Sequence, residues 1–135
     1  MTVLVDTSAW IEYLRGTNSA YNTFIREAIL ADTPLAWTEP IVYELTAGAR
    51  SPQRADELRA LLLRGPFLAV DGLQDWEVAA LLFRSARSRG LTVRSSMDCL
   101  VAAVALRTGS PVLARDRDFE ALAEVSDLVV EHPQP

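Results

Sequence analysis

The sequence predicts an α/β domain whose parallel sheet is covered by helices on both faces, and three observations lead there. Val3-Leu4-Val5 and Pro111–Ala114 are too uniformly apolar for half-exposed strands and read as strands buried on both sides. Segments of helical periodicity separate such runs, an alternation that implies right-handed crossovers and parallel strands. At 135 residues, half of them hydrophobic, the chain can bury a normal core, and no linker or repeat divides it, so residues 1–135 are expected to form one domain.

The elements follow in order. The first strand stops at Asp6. Thr7 and Ser8 are cap candidates for a short helix that starts near Ala9, reaches Arg15 and closes at Gly16. Asn18 is expected to cap a second helix, where Tyr21, Phe24, Ile25, Ala28 and Ile29 mark one buried face. Pro34–Thr38 reads as a second strand. Pro40, at a first-turn position, opens a helix that carries Glu44 and ends near Gly48. Ser51-Pro52 opens another, with Leu58, Leu61 and Leu62 inward and Gly65 at its end.

Phe67–Val70 is expected as a third strand, and Asp71 as the cap of a helix running to about Arg89. The loop Leu91–Ser95 holds Arg94. Ser96 is a suitable cap for Met97–Arg107, whose stretch Cys99–Leu106 is almost continuously apolar and so belongs at the centre of the fold. Gly109 and Pro111 precede the fourth strand. A short helix then runs from Arg115-Asp116-Arg117-Asp118-Phe119 to about Val125, and Leu128–Glu131 closes the sheet before a frayed tail.

Composition excludes several chemistries. All 13 basic residues other than the histidine are arginines, so no lysine is present for a phosphate-binding P-loop or a Schiff base. A single cysteine, Cys99, and a single histidine, His132, leave no zinc cluster and no Ser-His-Asp set. The lone cysteine and the short, unflanked first apolar run point to a cytoplasmic protein without a leader, and no run is long enough to cross a membrane.

The acids carry the positive signal. Asp6 and Asp116 end strands, Asp98 opens the central helix, Asp118 follows two residues after Asp116, and Glu44 interrupts an apolar helix. Taken singly, each has an ordinary reading as a cap, a first-turn acid or a solvated side chain. Together they gather at the carboxyl edge of a parallel sheet, where α/β proteins bind ligands. Close carboxylates repel unless a cation is present, and an all-oxygen set suits Mg²⁺ or Mn²⁺. Such ions serve phosphoryl transfer without lysine, side-chain nucleophile or organic cofactor. The net charge of −5 agrees: setting these five acids aside leaves 13 acidic residues against 13 basic ones.

Val5-Asp-Thr-Ser-Ala-Trp-Ile11, Glu39-Pro-Ile-Val-Tyr-Glu-Leu45, Ser96-Met-Asp-Cys-Leu-Val-Ala-Ala103 and Ala114-Arg-Asp-Arg-Asp-Phe119 resemble, in order and spacing, the four motifs of PIN-domain ribonucleases, and most closely those of the VapC toxins of type II toxin–antitoxin systems. The resemblance spans essentially the whole chain. It implies a three-layer α/β/α sandwich with a central parallel sheet, and Mg²⁺- or Mn²⁺-dependent cleavage of RNA by an activated water. By position, Asp6, Glu44, Asp98 and Asp116 match the family's metal-binding acids, Asp118 a frequent fifth, and Thr7 or Ser8 the hydroxyl that supports the first Asp. It further implies a homodimer silenced by a VapB-type antitoxin.

Arg94, Arg115 and Arg117, flanking the acids, are candidates for RNA phosphates. The aromatic residues Trp10, Tyr13, Tyr21, Phe24 and Trp37 are candidates for a partner groove or for the core. An RNA-processing nuclease outside any toxin pair, a catalytically inactive binding module and a DNA nuclease fit the same residues.

Overall fold

The structure is a computed structural model and describes residues 2–135. It is a three-layer α/β/α sandwich built as β1 (Val3–Val5), α1 (Thr7–Leu14), α2 (Ala20–Leu30), β2 (Leu35–Ala36), α3 (Glu39–Ala47), α4 (Pro52–Leu62), α5 (Gly72–Ser88), α6 (Ser96–Thr108), β3 (Val112–Leu113), α7 (Arg117–Glu124) and β4 (Val130–Glu131). The four strands run parallel in the order β2-β1-β3-β4. Successive strand residues point to opposite faces. Leu4 with Val5, and Val112 with Leu113, are all fully buried, so both faces of the sheet are covered, as the uninterrupted apolar runs require.

From β1 the chain crosses to β2 on one side and later returns to place β3 on the other. The crevice between the carboxyl ends of β1 and β3 is therefore the switch point at which such sheets bind ligands. Helix α6 lies at the centre, buried continuously from Asp98 to Ala105 and packed between α5 and α7. It ends at Gly109 in the left-handed region, φ +67°, which a residue with a Cβ adopts at a cost.

The expected strand Phe67–Val70 is absent. Phe67 makes one parallel bridge to Trp37, with their rings stacked 4.2 Å apart, and the backbone then leaves the sheet. Side chains capture it: the Ala69 carbonyl accepts from Arg107 Nη2 (2.5 Å), and the Val70 N–H donates to Glu39 Oε1 (2.8 Å). Gly65 makes the approach of this segment possible, since a Cβ there would lie 1.7 Å from the Leu35 carbonyl oxygen. β1 spans Val3–Val5 as expected, β2, β3 and β4 are shorter than expected, and three caps move by one or two residues. Ser19 caps α2 in place of Asn18, Ser95 is the N-cap residue of α6 in place of Ser96, and Asp6 itself caps α1. Trp10 belongs to the core at 3% exposure, whereas Tyr13, Tyr21, Phe24 and Trp37 are half-buried. No helix among the described residues is long and apolar enough to cross a membrane.

Candidate metal centre at the carboxyl edge of the sheet

Asp6 turns the chain from β1 into α1 and divides its two oxygens between two tasks. Oδ2 caps the helix, accepting from the Ser8 N–H (3.0 Å) and the Ser8 hydroxyl (2.6 Å). Oδ1 is buried with no hydrogen-bond partner. Thr7 and Ser8 thus do not relieve Asp6 of capping, as their residue types had suggested; Ser8 holds its carboxylate, and Thr7 donates to Glu44 Oε1 on α3 (2.9 Å). Burial raises the Asp6 carboxyl to about 6 against the Ser8 hydrogen bonds, with the nearby charges of Glu44 and Asp116 adding to the rise.

Asp98 enters from the first turn of α6. Its Oδ2 is likewise buried and unpartnered. Its carboxyl is pushed up to about 9, chiefly by burial and then by the charge of Asp6 and the proximity of Asp118 and Asp116. A helix N-terminus favours negative charge, so burial and the neighbouring acids together outweigh the pull of the helix.

Asp116 follows β3 and caps α7, accepting from the Asp118 N–H (2.9 Å), while remaining exposed. Asp118 is buried. Its Oδ2 accepts from the N–H groups of Arg94 and Ser95, both at 3.0 Å, so it anchors the loop that delivers Asp98. One carboxylate oxygen from each of Asp98, Asp116 and Asp118 lies within 4.8 Å of the others. Asp6 adjoins this trio closely enough for its charge to raise Asp98. Glu44 stands outside the trio on the far side of Thr7, and its charge is felt at Asp6.

Of the three candidate arginines, Arg94 and Arg117 are exposed, whereas Arg115 donates from Nη1 to Glu12 Oε1 (2.6 Å). Nothing in the sequence singled out Glu12. Its contact with Arg115 spans 103 residues and leaves no local pattern.

The donor set suits a hard divalent cation. Two buried carboxylate oxygens without partners, on Asp6 and Asp98, are costly unless something meets them, and Asp116 and Asp118 crowd within ligand range of Asp98. All donors are oxygens, which favours Mg²⁺ or Mn²⁺ over zinc.

Comparison with known proteins decides the family. The family model of the PIN domain matches residues 3–125. The chain is 39% identical over 127 residues to ribonuclease VapC11 of Mycobacterium tuberculosis, covering 93% of this chain and 95% of that protein. The chain belongs to the VapC ribonucleases of the PIN-domain family. Among solved structures, VapBC2 from Rickettsia felis, bound to a DNA fragment from its promoter, superposes with a TM-score of 0.74 at 16% identity, over 97% of this chain and 98% of that one. FitAcB from Neisseria gonorrhoeae gives 0.72 at 23% identity, over 98% of both chains. These likenesses bear out the three-layer PIN fold.

Proposed function

We propose that this protein is the endoribonuclease toxin of a VapBC-type pair, hydrolysing RNA with Mg²⁺ or Mn²⁺ held by Asp6, Glu44, Asp98, Asp116 and Asp118. The observation that carries the reading is the pair of unpartnered buried oxygens, Asp6 Oδ1 and Asp98 Oδ2, beside a trio of carboxylates at the switch point of the sheet. When bound, the ion would activate a water and neutralise charge on the phosphate.

The chain's own residues do the rest. Ser8 fixes the Asp6 carboxylate and Thr7 that of Glu44, so both are oriented before a ligand arrives. Asp98, protonated near neutral pH while the site is empty, must release its proton to become a ligand. Arg94 and Arg117, with the exposed side of Arg115, would hold RNA phosphates around an otherwise repulsive centre.

The partner of such a toxin is a VapB-type antitoxin, as in the VapBC complexes of similar fold. A cavity of about 260 Å³ lined by Trp10, Ile29, Thr33, Leu61 and Arg64 offers a place for an antitoxin segment. A second copy of the chain would find Leu73, Trp76 and Phe83 exposed on α5. Cytoplasmic action follows from this role.

The test is cleavage of total cellular RNA by the purified, antitoxin-free protein with Mg²⁺, with Mn²⁺ and with EDTA. Discrete fragments in both metals and none in EDTA are expected, and sequencing their ends names the target. No cleavage with either metal would favour a binding module or a DNA substrate, and cleavage that persists in EDTA would sink the metal assignment.

A further inference from the structure

Glu12 is an acid that the proposed chemistry does not use, yet it is held more firmly than most. Its side chain is 12% exposed and Oε1 accepts two charge- or hydroxyl-donated bonds, from Arg115 Nη1 (2.6 Å) and Thr17 Oγ1 (2.7 Å). The same Arg115 uses its backbone N–H to donate to the Ser8 hydroxyl (2.9 Å), and that hydroxyl donates to Asp6 Oδ2 (2.6 Å). Arg115 is also the residue immediately before Asp116.

The placement matters because the sheet gives out here. The last β1–β3 pair is Val5 with Leu113, and the last ladder bond runs from the Asp6 N–H to the Leu113 carbonyl (2.9 Å). Beyond it, two turns carry Asp6 and Asp116, whose charges oppose each other. Among the described residues, the side-chain bonds that hold these segments together past the ladder are the Ser8–Arg115 bond between the two turns and the ion pair from Arg115 to Glu12 on α1. Without the ion pair, the Ser8–Arg115 bond alone holds the Asp116 turn against the Asp6 turn beyond the ladder.

We propose that Glu12 is a positioning residue for the acid site: through the Arg115 guanidinium it clamps the turn after β3 onto α1, the helix that Asp6 caps, and so sets the spacing of Asp6 and Asp116. The inference rests on the metal-centre reading above. It assigns Arg115 first to this clamp and only then to RNA. The pair is half in solvent, with Arg115 58% exposed, so it contributes little to global stability and its effect falls on local geometry.

Mn²⁺ titration of the metal-free protein by calorimetry tests this on wild type, Glu12→Gln, Arg115→Ala, the double variant and Arg115→Lys. Partners that orient a ligand directly cost about 10- to 100-fold in metal affinity when removed, and Glu12 acts one step further out, so a loss of roughly 3- to 10-fold is expected for Glu12→Gln. Arg115→Ala should match it, the double variant should lose no more than either, and Arg115→Lys should recover part of the affinity. Thermal midpoints should stay close to wild type, which a merely structural pair would not combine with weaker binding. Unchanged Mn²⁺ affinity in Glu12→Gln, or losses that multiply in the double variant, would overturn the clamp. An Arg115→Ala protein that binds RNA worse but Mn²⁺ equally well would also overturn it. A wild type that binds no Mn²⁺ at all would instead remove the metal centre on which it rests.

Discussion

Two buried aspartates sit near opposite ends of α6 and are treated in opposite ways. Asp75, 1% exposed on α5, meets Arg107 from the last turn of α6, with Nε at 3.1 and 3.2 Å from its two oxygens and Nη2 at 3.0 Å. The Asp71 N–H adds a bond of 2.7 Å. Although burial opposes ionisation, these partners hold the Asp75 carboxyl below its ordinary value. Asp98, 5% exposed in the first turn, has acids for neighbours and is pushed up to about 9. Neither acid meets much solvent, but Asp98 has burial and like charges acting together, whereas Asp75 has an arginine to offset its burial.

Substitution by asparagine should split the two cleanly. Asp98→Asn is expected to lower metal-dependent RNA cleavage by about 100-fold or more, since it removes a ligand oxygen's charge from the site. Its urea unfolding midpoint at neutral pH should rise, because the amide escapes the cost of taking up a proton on folding that the carboxyl bears above pH 3.8. A fully active Asp98→Asn protein would dismantle the site assignment. Asp75→Asn should do the reverse, keeping specific activity while losing about 3 kcal/mol of stability, at the low end for one partner of a buried pair because Arg107 can turn outward to water. Urea denaturation read beside RNA cleavage checks both arms, and loss of activity without loss of stability in Asp75→Asn would erase the contrast.

The smallest effect is the pH dependence of stability in EDTA, where the two acids pull in opposite directions. Between the ordinary value of 3.8 and about 9, folded Asp98 keeps a proton that the unfolded chain has released. Its stabilisation is therefore complete below 3.8 and is lost as pH rises through 9, at no more than roughly 1.4 kcal/mol per pH unit. Asp6 adds to the same slope only up to about 6. Asp75, with its folded pKa depressed, contributes above 3.8 and loses that contribution as pH falls. Urea midpoints from pH 4 to 9 should accordingly fall less steeply in Asp98→Asn than in wild type. An identical slope in the two proteins would mean that Asp98 is already ionised in the fold.

The sequence made legible the layered fold and the convergence of Asp6, Asp98, Asp116 and Asp118 at one edge of the sheet, because both rest on patterns local to the chain. Uniformly apolar runs mark strands covered on both sides, and strand-end acids lie at the ligand edge of a parallel sheet. What it missed was decided by distant groups. Phe67–Val70 has the composition of a strand, yet Arg107 and Glu39 take its backbone bonds from elsewhere in the chain. For Asp6, capping and a role in the site read as alternatives, because Thr7 and Ser8 are equally good cap types; only the fold shows that one carboxylate can cap a helix with one oxygen and leave the other bare. The Arg115–Glu12 contact closes across more than a hundred residues, where no spacing rule reaches.

The bare oxygens have a consequence for how such a gene ages. A folded chain is normally shielded by its own stability, since most damaging substitutions also unfold it and are cleared by proteases. Around Asp6 and Asp98 that shield is missing: a single base change to asparagine relieves crowded, unpartnered carboxylates and leaves a well-folded protein behind. Quality control has no grounds to remove it. Stability therefore does not guard the activity of this protein, and lineages freed from selection for that activity should accumulate silent, intact-looking copies that differ from the active one at a single carboxylate.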